Sequence, residues 1–168
     1  MRRSLAWTAV VVTALLLQST AFAQIKLLGA KPELMYLLTV VIAMLEGPAS
    51  GTISGFAAGM GQDFLLHQPK GITALTLTLL GYVVGMIRQY IVTPSPALPV
   101  VLVAAATFVG VLFYGLLSFL LGQLTVGFLF LLRTAFLSAI YNAVLTPILY
   151  PVIRRVAEAS RPKKVFRW

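Results

Sequence analysis

Four carboxylates, one histidine and no cysteine are all that this 168-residue chain offers for acid–base, nucleophilic or metal chemistry. The carboxylates are Glu33, Glu46, Asp63 and Glu158. His67 lies beside Pro69 and Lys70 in what reads as a short loop. If it were to activate Ser50, the two would have to meet within hydrogen-bond reach. Their separation of 17 positions in sequence corresponds instead to about 25 Å of helix. The run Gly59-Met60-Gly61-Gln62-Asp63 is superficially like the glycine–aspartate motif of intramembrane aspartyl proteases. Its spacing is off by one, and Asp63 is the only aspartate in the chain. The missing cysteines exclude disulfides, thiolate metal sites and thiol nucleophiles. One histidine is too few for a metal centre, and there is no phosphate-cradling loop of the Walker type. The residues therefore point to a protein that is not an enzyme and needs no cofactor or metal.

The elements that must carry these residues are read from the charge spacing. The chain is 60% hydrophobic and only 10% charged, with mean hydropathy +0.96. A soluble domain carries roughly 25% charged residues, so an ordinary water-soluble protein is excluded, and so is a disordered chain. Uncharged windows of 22 residues between Arg3 and Lys26, 17 between Lys70 and Arg88, and 20 between Arg133 and Arg154 punctuate the sequence. A further window of 44, between Arg88 and Arg133, is broken by the proline loop 93–99. A membrane helix needs about 20 apolar residues. The fold expected is all-α and membrane-embedded, a single domain over 1–168 with six transmembrane helices. The spans are about 4–23, 33–46, 48–66, 71–91, 99–121 and 127–152, followed by a basic cytoplasmic tail over 153–168. Pro32 and Pro48 each suit the first turn of a helix, so 33–46 and 48–66 read as two short spans. The alternative for that stretch is a re-entrant hairpin. The N-terminal run, ending Ala21-Phe22-Ala23, is like a signal peptide. It is long for a signal core and is read as a retained span.

Charge sets the orientation. With the N-terminus inside, nine basic residues (Arg2, Arg3, Arg88, Arg154, Arg155, Arg161, Lys163, Lys164 and Arg167) fall on the cytoplasmic side and three (Lys26, Lys31 and Lys70) outside. That is a positive-inside bias with both termini cytoplasmic. The net charge of +9 is then mostly topology and does not argue for nucleic acid. The tail residues Arg154, Arg155, Arg161, Lys163, Lys164 and Arg167 would contact anionic lipid or a cytoplasmic partner.

Within the spans, small and polar residues stand out. Gly47, Gly51, Gly55 and Gly59 recur every fourth residue, flanked by Ser50, Ser54 and Ala58, and Gly81 and Gly85 repeat the unit. Such ladders admit another helix closely, either within the chain or from a partner. Glu46, Asp63 and Arg133 are costly inside a bilayer unless paired or wet. Asp63 and Arg133 are expected at similar depths and hence as an ion pair. Glu46 is expected to face the positive end of the following helix. Asn142 and Thr146 stand beside Pro147, where they could satisfy the carbonyl that proline leaves free.

These residues resemble a known family. Pro32-Glu33-Leu34, Leu45-Glu46-Gly47-Pro48, Gly51, Gly55-Phe56, Gly59 and Asp63 are similar to the pattern of the rod shape-determining protein family MreD. So are Gly71, Ala74-Leu75, Gly81-Tyr82, Arg133 and Tyr141-Asn142-Ala143. Gly61-Gln62 departs from it, since the family carries apolar residues there. The resemblance implies a multi-pass protein of the bacterial inner membrane, a scaffold of the elongasome that makes lateral-wall peptidoglycan. It implies binding to MreC and, through it, a link between cytoplasmic MreB, RodA and a class B penicillin-binding protein. It also implies a fold similar to the S components of energy-coupling-factor transporters. The competing function is the substrate-binding subunit of a vitamin-type transporter, which would need a polar pocket within the bundle.

Overall fold

The computed structural model describes residues 2–20, 32–65, 71–91, 95, 97–122 and 127–160. These form six helices with no strand among the described residues: α1 (Arg2–Thr20), α2 (Leu34–Glu46), α3 (Pro48–Leu65), α4 (Ile72–Tyr90), α5 (Leu98–Leu120) and α6 (Phe128–Ser160).

The placement of α2 follows from its composition. Its sequence, LMYLLTVVIAMLE, is apolar all round rather than on one face, and a helix of that kind must be enclosed on every side. Every residue from Leu34 to Met44 is buried. Among the described residues α2 packs against each of the other five helices. Those five touch in the order α1, α3, α4, α5, α6 and back to α1. The protein is thus a closed ring of five helices around a short central one. Val40 and Val41 on α2, Leu77 on α4 and Val103 on α5 are fully buried at its centre.

The turn between α2 and α3 is one residue long. Gly47 has φ +94°, a conformation that side chains disfavour, and donates its N–H to Ala43 O at 2.9 Å. Pro48 then opens α3, where the missing N–H costs nothing.

The tightest contact runs between α3 and α4, which lie antiparallel. A Cβ at Gly51 would stand 2.6 Å from Gly81 O, and one at Gly55 or Gly59 would strike the backbone of Leu77 or Ala74. From the other side, a Cβ at Gly81 would strike Gly51 O, and one at Gly85 would strike Pro48. Thr39 and Ala43 of α2 close the same seam, with Ala43 Cβ 2.6 Å from a Cβ at Gly51. The glycine ladder therefore faces helices of its own chain.

Among the described residues, three helices are long and apolar enough to cross a membrane: α4, α5, and α6 over Phe128–Ala159. The central α2, at 13 residues, is about 20 Å long, short of a ~30 Å hydrocarbon core. In α3 the glycines, serines, Gln62 and Asp63 dilute the hydropathy. Six crossings were expected, and the structure has six helices of which three meet both criteria. The last helix runs through Pro147 and Pro151 to Ser160, so the first part of the segment read as a tail, from 153, is helical. Thr146 Oγ1 donates to Asn142 O at 2.6 Å one turn before Pro147, serving a carbonyl near the bond that Pro147 cannot make.

Gly81→Ala is expected to destabilise the purified chain by about 1–3 kcal/mol through overpacking, measured as SDS-driven unfolding in mixed micelles. Ala57→Leu, on the exposed side of α3, is expected to change it by less than about 0.5 kcal/mol. Equal effects would contradict the seam.

Candidate functional site

A buried helix start leaves N–H groups that need partners. At the N-terminus of α2 one of them, the Met35 N–H, is served from another helix. Gln18 of α1 accepts from the Met35 N–H through Oε1 at 3.3 Å and donates Nε2 to Glu33 Oε2 at 3.3 Å. Gln62 of α3 donates to the same Glu33 Oε2 at 3.3 Å. Asn142 of α6 donates Nδ2 to Glu33 O at 2.9 Å and to Thr107 Oγ1 of α5 at 3.0 Å. Glu33 thus ties α2 to α1, α3 and α6, and Asn142 extends the link to Thr107 of α5.

The start of α4 is served in the same way. Asp63 Oδ2 accepts from the Gly71 N–H at 2.8 Å and the Ala74 N–H at 3.3 Å. A carboxylate at a helix N-terminus meets both free N–H groups and the positive end of the helix dipole. Asp63 is 1% exposed, so the cap replaces its lost water. Similar depth led to the expectation of an Asp63–Arg133 pair; Asp63 is engaged by the start of α4, and Arg133 stands on an exposed face of α6.

The cluster also fixes relative heights. Thr107 and Asn142 meet at the level of Glu33. From there α5 continues to Leu120 and α6 extends back to Phe128, each about 20 Å of helix. The α5–α6 hairpin therefore projects well beyond the start of α2. Between the hairpin and the cluster lies a partly open cavity of ≈ 210 Å³. Glu33, Tyr36, Gln62 and Thr73 line it from the α2–α4 side. Val111, Tyr114, Gly115, Phe130, Leu131 and Thr134 line it from α5 and α6. A second cavity of ≈ 290 Å³ between α1, α2 and α6 is almost wholly apolar.

The remaining residues singled out in the sequence are scattered. Glu46 ends α2, half-buried at the turn into α3. Gly47 makes that turn, while Gly51, Gly55, Gly59, Gly81 and Gly85 line the internal seam. Arg154 donates Nε to Glu158 Oε1 at 2.7 Å, one turn along the exposed end of α6. That bond holds its guanidinium above the ordinary value. Arg155 is exposed beside it. Arg161, Lys163, Lys164 and Arg167 lie outside the described residues, as does His67. Sequence reasoning missed Gln18, Thr107 and the central role of Glu33. The signal available was an acid directly after Pro32 and before an all-apolar run, a helix-start position.

Asp63→Ala is expected to speed amide exchange in the first turn of α4, by the loss of about 1–2 kcal/mol that a missing cap brings. Arg133→Ala is expected to leave that turn unchanged, and the double variant to be additive within about 0.5 kcal/mol. Strong coupling between the two would point to an ion pair between them instead.

A family model described as rod shape-determining protein MreD matches residues 1–156 of the chain. No curated protein and no solved structure matches it. The match covers most of the sequence, so the chain belongs to the MreD family, and its role lies in rod-shape determination.

Proposed function

We propose that this member of the MreD family is a non-enzymatic scaffold of the elongation machinery in the bacterial inner membrane, crossing it six times with both termini cytoplasmic. In this reading it binds MreC and with it couples cytoplasmic MreB to RodA and a class B penicillin-binding protein. The observation that carries the reading is the family match over residues 1–156. The nine-to-three division of basic residues across the expected spans supports the orientation. A fold akin to the S components of energy-coupling-factor transporters belongs to the same reading.

The geometry narrows where MreC would bind. The α3–α4 seam is filled by the chain's own backbone, so a partner helix has no room there. The outer surface is apolar and open, with Leu79 and Tyr82 on α4, Val101 and Val109 on α5, and Phe136 and Val144 on α6 exposed. A partner's transmembrane helix would lie on that surface. The exposed Arg154 and Arg155, and the basic residues after them, would meet anionic lipid at the cytoplasmic face.

The test is co-purification of the tagged chain from membranes of a rod-shaped cell. A single-span protein with a periplasmic coiled coil is expected in near-stoichiometric amount. It is expected to be retained by Gly81→Ala wherever that variant stays folded, because the seam is not the contact. Failure to recover it with the native chain would overturn the scaffold reading.

A further inference from the structure

The apolar cavity of ≈ 290 Å³ is a groove between α1 and α6. Ala14 and Leu17 of α1 form one wall, Val152 and Ile153 of α6 the other, and Leu34 and Leu38 of α2 the floor. Leu17 and Val152 are exposed at its rim, so the groove faces the bilayer. Water finds almost no polar partner there, and an unfilled groove leaves its walls without the contacts that dispersion needs. The two walls touch each other, so a further helix, ~10–12 Å across, has no room between them. A single hydrocarbon chain does.

The groove has the length of one leaflet. Asn142 of α6 meets Glu33 at the start of α2. The floor begins at Leu34, one position past Glu33, and the α6 wall ends at Ile153, 11 positions past Asn142. The difference is about 15 Å of helix, half of a ~30 Å hydrocarbon core. Positive charge stands at the end of that run. Leu149 and Val152 line the groove, and Arg155 continues their i, i+3 stripe one turn beyond it. Arg155 is exposed. Arg154 stands beside it with its Nε on Glu158, and α1 starts with Arg2 and Arg3 at the same end of the bundle.

We propose that the α1–α6 groove binds an anionic phospholipid, with one acyl chain lying along α2 and the phosphate at Arg155. The inference deepens the lipid contact proposed above for the end of α6, and rests on it. Any phospholipid can fill the groove with its chain. The arginine at the mouth selects a headgroup whose phosphate carries no neighbouring cation.

The test uses the full chain in nanodiscs of phosphatidylcholine and phosphatidylglycerol with the same acyl chains. Native mass spectrometry reads the lipid that stays bound. Phosphatidylglycerol is expected to be retained about fivefold over phosphatidylcholine, the effect of one basic residue near the surface. Arg155→Gln should abolish the preference. Arg88→Gln, exposed in the last turn of α4 and away from the groove, should keep it. Ala14→Phe, which fills the groove from the α1 wall, should lower the retained amount of both lipids. If Ala14→Phe fails to fold, the two arginine variants, both at exposed positions, keep the test decisive. Equal retention of the two lipids by the native chain would overturn both the site and the lipid contact it rests on. Equal losses in Arg155→Gln and Arg88→Gln would overturn the site alone and leave a general attraction of basic residues to the membrane. Lipid retention unchanged in Ala14→Phe, with a co-purifying membrane protein lost instead, would make the groove a protein contact and overturn the proposal.

Discussion

The enclosure of α2 governs this structure. A helix of 13 residues that is apolar on every side cannot show one face to a polar surface, and it is too short to cross a bilayer alone. It needs neighbours all round, and five helices supply them in a closed ring. Inside a membrane such enclosure is not driven by leaving water, since lipid is as apolar as leucine. It depends on close packing and on satisfying every backbone group. Both requirements are visible here. The sides of α2 are packed by the ring, and its N-terminus is served by Gln18 while Asn142 bonds the Glu33 carbonyl that begins it.

The α3–α4 seam is the second half of the same solution. Glycine on both helices brings the backbones together, and Thr39 and Ala43 of α2 fill the groove that remains. The composition that makes α3 a weak membrane span on hydropathy makes it a good wall for α2. Because the small residues are used internally, the surface left outside is made of larger apolar side chains. The shortness of α2 has a further effect at the other end of the molecule. With α5 and α6 continuing past Glu33, the bundle acquires a recess that Glu33, Tyr36 and Gln62 help to line.

Much of this was legible in the sequence because charge is so scarce. Each charge-free window contains a helix, and Gly47-Pro48 marks the turn it makes. The glycine spacing announced a close helix contact, though spacing alone could not say whether the second helix came from this chain. The Asp63–Arg133 pairing was argued from depth alone. Depth along a helix says nothing of azimuth, and Asp63 lies against the start of α4 while Arg133 stands on an exposed face of α6. The Glu33 cluster was hidden because its members come from positions 18, 33, 62, 107 and 142, a grouping that only the ring creates. The rod-shape role came from a family pattern of small residues, which describes how the helices pack more directly than what they bind.

The enclosure can be measured directly, because the chain has no native cysteine and single cysteines report their own surroundings. Val40→Cys on α2 and Ile53→Cys on the outer side of α3 would be labelled in membranes with a lipid-soluble maleimide. Val40 is 0% exposed and Ile53 is 71% exposed. The ring predicts rapid labelling at position 53 and none at position 40 until the protein is unfolded in SDS. Comparable labelling at the two positions in the folded protein would mean that α2 faces lipid, and would contradict the architecture.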